Sequence, residues 1–400
     1  PSSAASDVYK RQVFSRLRST VPPNSCPAWP CMATGKNPGK VGIFDLLHKD
    51  GYSMRPVSSR MMRAEPIWHI LSRSGIRVGV MNVPGTYPPE HVGGFMVTGM
   101  LTPSSRECLY PRGLRRALRK SLDDYPIDLI PWGYFDDLKL IKDAISVSQK
   151  RAELAIRLLR LTRPSFLFLV FTTPDRLLHF LWRYIDPSFD DFWTPRGEEV
   201  REALKRYWRG LDALIGAIVE VFGPGLTFVV SDHGFGPRRA TFFINEWLRE
   251  NGLLRLRRGL KTHVITSLAR LFSSIYALMG ESGLIHMVYP AATKLFGFRK
   301  LWDYTFRYFS PDRSLRFVSW AATAAFSCAH SPSLGHTYIN LAGREPQGSV
   351  PVDAYEDVRS SVMDCLRELG RTYDVDVLVH RREEIYHCLL YTSPSPRDRG

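Results

Sequence analysis

An apolar stretch that ends in an aspartate and a histidine is the feature that most constrains the fold of this chain. The stretch, residues 226–230, follows a Gly-Pro-Gly turn and has the length and composition of a buried strand in a parallel sheet. Asp232 and His233 follow almost at once, so we expect them at the carboxyl edge of the sheet, where open α/β sheets bind ligands. A carboxylate oxygen and an imidazole nitrogen are typical ligands of a divalent metal. The alternative interpretation is an aspartate that caps a turn beside a surface histidine.

A second apolar stretch, residues 165–171, leads into another aspartate and another histidine. Asp175 and His179 are four positions apart in a segment that is predicted to be helical, which places them on one face, one turn apart. Taken alone, the pair is explained by an aspartate at a helix N-terminus and a core histidine. Two such pairs, each at the end of a predicted strand, are what a two-metal site for phosphoryl transfer needs.

A hydroxyl group stands at the predicted start of a helix near the beginning of the chain. Ser25 follows two prolines that disfavour a helix, and is predicted to cap a helix that has Pro27 in its first turn and ends at Gly35. A hydroxyl at this position can be an ordinary cap or part of an anion site at the helix N-terminus. Without other evidence, the cap is the simpler interpretation.

Strand and helix patterns alternate along the chain, which predicts an α/β fold with a mostly parallel central sheet flanked by helices. The α/β core is expected in residues 13–252 and 319–387, and a basic, mostly helical cap or insertion in residues 253–318. The predicted strands are 77–84, 95–99, 165–171, 226–230, 337–341 and 375–379, with a strand and then a short helix in 241–252. The other predicted helices are 66–74, 138–162, 198–221 and 353–369.

Composition narrows the classes of partner. The 54 basic and 39 acidic residues give a net charge of +15, which attracts anions. Because most of these charges are scattered, apart from those in residues 255–258 and 381–382, we expect attraction of small anions, such as a small phosphorylated substrate, and no specific nucleic acid. No apolar run approaches the roughly 18 to 20 residues of a membrane span. The six cysteines lack the spacing of a metal site, which predicts free thiols, favours a reducing compartment and leads us to expect a cytoplasmic protein.

The two ends of the chain differ from the rest. Residues 1–12 and 388–400 show no hydrophobic periodicity and resemble translated sequencing adapters. We therefore expect both ends to be non-native. Residues 13–387 are then expected to be a fragment of a longer protein, truncated at its N-terminus and its C-terminus.

Five motifs together resemble the alkaline phosphatase superfamily, and within it the type I phosphodiesterase/nucleotide pyrophosphatase family of bacteria and archaea. The resemblance covers nearly all of residues 13–387 and implies the three-layer sandwich of that superfamily and a metal-dependent phosphoester hydrolase. The motifs are Val21–Trp29, Ala33–Gly39, Pro174–His179, Ser231–Pro237, and Tyr338–Leu341 with Gly343–Pro346.

The resemblance implies a role for each candidate site residue. Ser25 matches the metal-activated nucleophile, which forms a covalent phospho-enzyme that water later hydrolyses. Asp175 and His179 match ligands of one metal. Asp232 and His233 match ligands of the other, with Ser25 bridging toward it. We expect two divalent metal ions, zinc by resemblance to the superfamily, with manganese or iron as alternatives.

The sequence also departs from the family pattern. The family has a further metal-binding aspartate on a strand that would precede residue 13, and a further metal-binding histidine that would follow residue 387. Each metal is thus expected to lack one ligand here, and the fragment itself to be inactive. Two other functions stay open: a phosphomutase of the same superfamily, similar to phosphoglycerate mutase, and a non-catalytic relative that binds anions or nucleic acid.

Overall fold

The computed structural model describes residues 13–129, 136–238, 242–259, 315–328 and 334–386. Most of the predicted cap, residues 260–314, lies outside the described residues. Residues 1–12 and 388–400, which we expect to be non-native, lie outside them as well. The domain boundaries therefore stay predictions.

Strands and helices alternate in the first half of the chain, as the sequence pattern predicts. The strands are β1 (Leu47–Asp50), β2 (Ser53–Pro56), β3 (Val78–Met81), β4 (Gly94–Val97), β5 (Leu109–Tyr110), β6 (Phe166–Leu169), β7 (Ala325–Ser327) and β8 (Thr337–Ile339). The helices are α1 (Ser25–Thr34), α2 (Pro38–Val41), α3 (Ile67–Arg73), α4 (Arg115–Asp123), α5 (Asp137–Thr162), α6 (Thr173–Leu181), α7 (Pro195–Phe222), α8 (Ile244–Glu250), α9 (Tyr355–Tyr373) and α10 (Arg382–Ile385).

The central sheet has four strands in the order β5-β4-β3-β6. β3 pairs in parallel with both of its neighbours, so that Val80 lies beside Met96 on one side and Phe168 on the other. β5 pairs antiparallel with β4 and closes that edge. Two further antiparallel pairs, β1 with β2 and β7 with β8, lie apart from this sheet. The mixed α/β fold with parallel strands flanked by helices is confirmed.

Both faces of the central sheet are covered by helices, because strand residues alternate between two apolar clusters. One face packs against α4, α5 and α7, and it consists of Met81, Phe95, Val97, Leu167 and Leu169. The opposite face packs against α1 and α3, and it consists of Val78, Val80, Met96, Phe166 and Phe168. The helices are thereby fixed on either side of the carboxyl edge of the sheet.

A glycine in β3 allows two large side chains to pack over the strand. A Cβ atom at Gly79 would lie 2.6 Å from the ring of Phe95 and 3.0 Å from Leu167. We expect Gly79→Ala to lower the free energy of unfolding by about 2 kcal/mol, because a buried ring would have to shift. Urea unfolding measures the loss. Gly210→Ala in α7, where a Cβ meets no atom within 4 Å, is the control and should leave stability equal or higher. Equal stability of both variants would contradict the packing argument.

The predicted strands 226–230 and 375–379 are wrong. Residues 226–230 are irregular, and Leu226, Phe228 and Val229 are 83%, 76% and 80% exposed. An apolar run forms a strand only when a neighbour satisfies its backbone N–H and C=O groups. Within the described residues, β6 pairs only with β3, and nothing pairs with 226–230. Residues 375–379 are also irregular. The helix before them, α9, continues past its predicted end to Tyr373, and Asp374 follows it in the left-handed conformation.

Smaller differences concern the segment 241–252 and the cysteines. Phe242 and Phe243 form no strand, whereas the predicted helix that follows is present as α8. Five of the six cysteines lie in the described residues and all five are free thiols, as predicted. Among the helices that the structure describes, none combines the length and the apolar character needed to cross a bilayer.

Candidate functional site

Three segments deliver the candidate site residues to one place. Ser25 is the first residue of α1, and Asp175 and His179 lie on α6, which begins shortly after the carboxyl end of β6. Asp232 and His233 lie in an irregular segment after α7, and the hydroxyl of Ser19 donates to the backbone carbonyl of Asp232. These polar side chains come from positions more than 200 residues apart in the sequence.

The start of α6 is anchored in the protein interior. Thr173 is fully buried, and its hydroxyl forms hydrogen bonds of 2.8 Å with Ser148 on α5 and Tyr207 on α7. Pro174 occupies the first turn, where the missing N–H has no consequence. Asp175 is the acidic residue of that turn, where the helix dipole favours negative charge.

The Ser25 hydroxyl contacts His233 directly. Ser25 Oγ lies 3.2 Å from His233 Nε2. The other ring nitrogen, Nδ1, lies 2.9 Å from the carbonyl oxygen of Gly234, which can only accept, so Nδ1 carries a hydrogen. In the neutral imidazole, Nε2 therefore carries the lone pair and faces Ser25. A backbone carbonyl that fixes the tautomer in this way is typical of histidines that bind metals.

The two Asp–His pairs meet at one carboxylate oxygen. Asp175 Oδ1 lies 3.3 Å from His179 Nε2 and 3.4 Å from His233 Nε2. Asp232 Oδ2 lies 3.6 Å from the same nitrogen of His233. The side chains of Asp175, Asp232 and His233 are 17%, 12% and 11% exposed, whereas His179 is 43% exposed. The sequence-predicted residues thus form one cluster, with His179 on its solvent side.

The surroundings of Asp175 keep its carboxylate ionised. Burial raises the pKa of Asp175, but the adjacent His179 imidazole and the charges of Arg176 and His233 outweigh burial, so this pKa is lower than its ordinary value. Burial lowers the pKa of Arg176, but the carboxylates of Asp128 and Asp175 outweigh burial, so this pKa is higher than its ordinary value. Both groups are therefore charged at neutral pH.

Two buried oxygens fit a cation. Asp175 Oδ1 and Asp232 Oδ2 are buried and accept no hydrogen bond from the described residues, although each faces an imidazole nitrogen. Such unsatisfied carboxylate oxygens are costly unless a cation or donor meets them. In the described part of the chain, no three His, Cys, Asp or Glu side chains surround a common point as a metal requires. The donor atoms fit a divalent metal in type, and each pair supplies two of its ligands.

The helix start around Ser25 differs from the prediction. Asn24, not Ser25, is the N-cap of α1, and its side chain accepts from the backbone N–H of Cys26 at 3.0 Å. Gly35 ends the helix as predicted, in the left-handed conformation. Because Asn24 caps the helix, the Ser25 hydroxyl is left for His233. Cys26 N–H donates to Asn24 and Pro27 has no N–H, so neither residue offers an N–H to an anion, although the helix dipole still favours one.

An aromatic side chain covers the histidines. The Phe235 ring lies 5.0 Å from the ring of His179 and 5.3 Å from that of His233, measured between centroids. Trp182 lies roughly parallel to Phe235 at 6.2 Å. The sequence motif that contains Phe235 thus holds the two imidazoles from different segments against one ring.

Sequence reasoning assigned no role to Arg176 and did not identify Asp128. Arg176 donates to Asp175 Oδ2 at 2.8 Å and to Asp128 Oδ2 at 2.6 Å. A lone acid between apolar residues, as Asp128 is in Pro126–Leu129, was the available signal. Its partner could not be read from spacing, because the two residues are 48 positions apart.

Comparison with known proteins gives the family of the chain. Residues 6–287 match the model of the family Type I phosphodiesterase / nucleotide pyrophosphatase. The chain belongs to this family. It is thereby a member of the alkaline phosphatase superfamily, as its motifs indicated, and of a family of phosphoester hydrolases.

Other similarities are low. Among curated proteins, none matches the chain significantly. A crystal structure of phosphonoacetate hydrolase from Sinorhizobium meliloti 1021 in complex with phosphonoacetate is 17% identical, with a TM-score of 0.32. The match covers 53% of this chain and 48% of that one, so the chain spans about half the length of the hydrolase.

Proposed function

We propose that this family member hydrolyses phosphodiester or pyrophosphate bonds of small substrates through a covalent phospho-Ser25. The observation that carries the proposal is the contact of Ser25 Oγ with His233 Nε2 at 3.2 Å, within a cluster where Asp175 lies 3.4 Å from the same nitrogen. A nucleophilic hydroxyl beside buried acids and imidazoles is the arrangement that phosphoryl transfer requires.

Four side chains of the cluster would bind the metals. Asp175 and His179 would hold one divalent metal, and Asp232 and His233 the other, with zinc favoured by the mixed oxygen and nitrogen donors. When bound, such ions lower the pKa of a nearby hydroxyl and neutralise the charge of a phosphate. The hydrogen bond from Nδ1 of His233 to the carbonyl oxygen of Gly234 keeps Nε2 directed at the site.

The proposed reaction has two displacements at phosphorus. In the first, Ser25 Oγ forms a bond to phosphorus while the bond to the leaving alcohol breaks, and the Ser25 proton is transferred in net terms to that alcohol. In the second, water attacks phospho-Ser25, the Oγ–phosphorus bond breaks, and a phosphomonoester leaves while the hydroxyl is restored. The helix dipole of α1 favours the anionic phosphorus centre at Ser25.

The test is a product analysis with zinc and bis(p-nitrophenyl) phosphate, made on this chain and on the longest natural gene product that contains it. We expect release of p-nitrophenol and p-nitrophenyl phosphate in equal amounts. A second incubation, with a phosphorylated acid, distinguishes the hydrolase from the phosphomutase alternative. A phosphomutase would convert the phosphorylated acid into its isomer and release no phosphate. Absence of both bound zinc and any turnover in the natural gene product would refute the hydrolase and favour the anion-binding alternative.

A further inference from the structure

Arg176 connects two carboxylates behind the candidate site. Its Nε and Nη2 donate to Asp128 Oδ2 at 3.2 and 2.6 Å, and its Nη1 donates to Asp175 Oδ2 at 2.8 Å. The three side chains are between 13% and 19% exposed, so water competes little for these bonds. The planar guanidinium fork allows one residue to hold two carboxylates in a fixed relation.

Asp128 is itself anchored to the interior. Its second oxygen, Oδ1, accepts from Thr172 Oγ1 at 2.6 Å, and Thr172 Oγ1 accepts in turn from Nη1 of Arg151 at 3.1 Å. Arg151 is fully buried on α5, and Thr172 is buried at the start of α6. A continuous chain of hydrogen bonds therefore runs from the helix layer to Asp175.

This chain of bonds fixes the plane of the Asp175 carboxylate relative to the site. Because Arg176 occupies Oδ2, Oδ1 is the atom directed at His179 and His233, and Oδ1 accepts no hydrogen bond of its own in the described residues. The two oxygens of a carboxylate are equivalent, so Arg176 fixes the plane of the group. A carboxylate free to rotate would hold neither oxygen toward both imidazoles.

We propose that Asp128 and Arg176 are positioning residues that hold Asp175 with Oδ1 presented to a bound cation. The inference rests on the proposed function in so far as Asp175 is a metal ligand. Asp128 and Arg176 do not themselves contact the Ser25 hydroxyl or a substrate; they act through the orientation of Asp175. The competing explanation is that the pair only ties residues 127–129 to α6 and contributes stability alone.

The experiment compares Asp128→Asn and Arg176→Lys with Asp137→Asn. The Asp128→Asn side chain would keep its shape but lose its charge, and the Arg176→Lys side chain would keep its charge but reach one carboxylate instead of two. Asp137→Asn is the matched control, since Asp137 pairs with Arg183 at 3.3 Å with similar exposure and does not contact Asp175. The readouts are zinc affinity by competition with a chelator, thermal unfolding, and the ¹⁵N signals of His179 and His233 without metal, assigned from His179→Gln and His233→Gln.

We expect all three variants to lose similar, small amounts of thermal stability. Zinc affinity should fall about 10- to 100-fold in Asp128→Asn and Arg176→Lys, the usual effect of removing a partner of a metal ligand, and stay unchanged in Asp137→Asn. The metal-free histidine signals should shift in the first two variants alone. Unshifted signals in both variants would overturn the proposal. If the wild-type chain bound no zinc while the signals of the two variants still shifted, the proposed function would be refuted. The positioning of Asp175 by Asp128 and Arg176 would then still be supported.

Discussion

Replacing Ser25 with alanine is expected to reduce phosphodiester turnover at least roughly 10³-fold while zinc binding is retained. The reason is that Ser25 Oγ is the group that would attack phosphorus, whereas the four acid and imidazole side chains around it remain in place. No helix cap is lost, because Asn24 caps α1 and the Ser25 hydroxyl contacts His233 instead. The measurement is kcat/KM for an aryl phosphodiester in the active natural gene product, with bound zinc counted in the same samples.

The matched control for this prediction is Ser74→Ala. Ser74 is an exposed serine at the end of α3 whose hydroxyl bonds only locally, to Ile70 O. It should keep wild-type kcat/KM. In the wild type, acid quenching during turnover followed by mass spectrometry should find an aryl phosphoryl group on the peptide that contains Ser25, because only one of the two aryl groups has left at that stage. Undiminished turnover in Ser25→Ala would rule out the nucleophile, and loss of zinc together with turnover would assign Ser25 a structural role.

The parts of the fold that could be predicted are those governed by local pattern. The strand β6 and the helix α5 have clear local patterns of apolar residues, and both formed within a few residues of their predicted bounds. Residues 226–230 are also a mostly apolar run, yet they are irregular and exposed. Apolar character predicts burial, but strand formation also needs a neighbour to complete the backbone hydrogen bonds, and sequence pattern does not supply this information.

In the candidate site, too, residues that follow a local pattern could be predicted, and contacts between distant residues could not. The two Asp–His pairs could be found because each follows an apolar run, and Ser25 was joined to them through the family resemblance rather than through spacing. The contact between Ser25 and His233, 208 positions apart, depends on how the segments around α1 and after α7 pack. Asp128 and Arg176 were missed for the same reason, since a carboxylate and a guanidinium carry no sign in the sequence of which partner they will meet.

Arg151 is a further residue whose partners could not be read from the sequence. It lies on the apolar stripe of α5 with Ala144, Ser148 and Ala155, and an arginine on such a stripe was the signal that an internal polar partner was required. The structure supplies several partners. Nη1 donates to Thr172 Oγ1 at 3.1 Å and Nη2 to the carbonyl of Ile127 at 2.9 Å. When the amide of Asn82 is oriented so that its oxygen faces the donors around it, this oxygen accepts from Nη2 at 3.0 Å.

Arg151→Met is expected to lower the free energy of unfolding by about 3 kcal/mol, because it leaves several buried acceptors without a donor and separates Asp128 from the interior. Urea unfolding followed by circular dichroism measures the loss. Arg157→Met, at an exposed position of the same helix, is the control and should change stability by no more than about 0.5 kcal/mol. Apolar replacement of a buried ion can also be neutral. If Arg151→Met were as stable as the control but bound zinc more weakly, the buried arginine would serve the orientation of Asp175 rather than the stability of the fold.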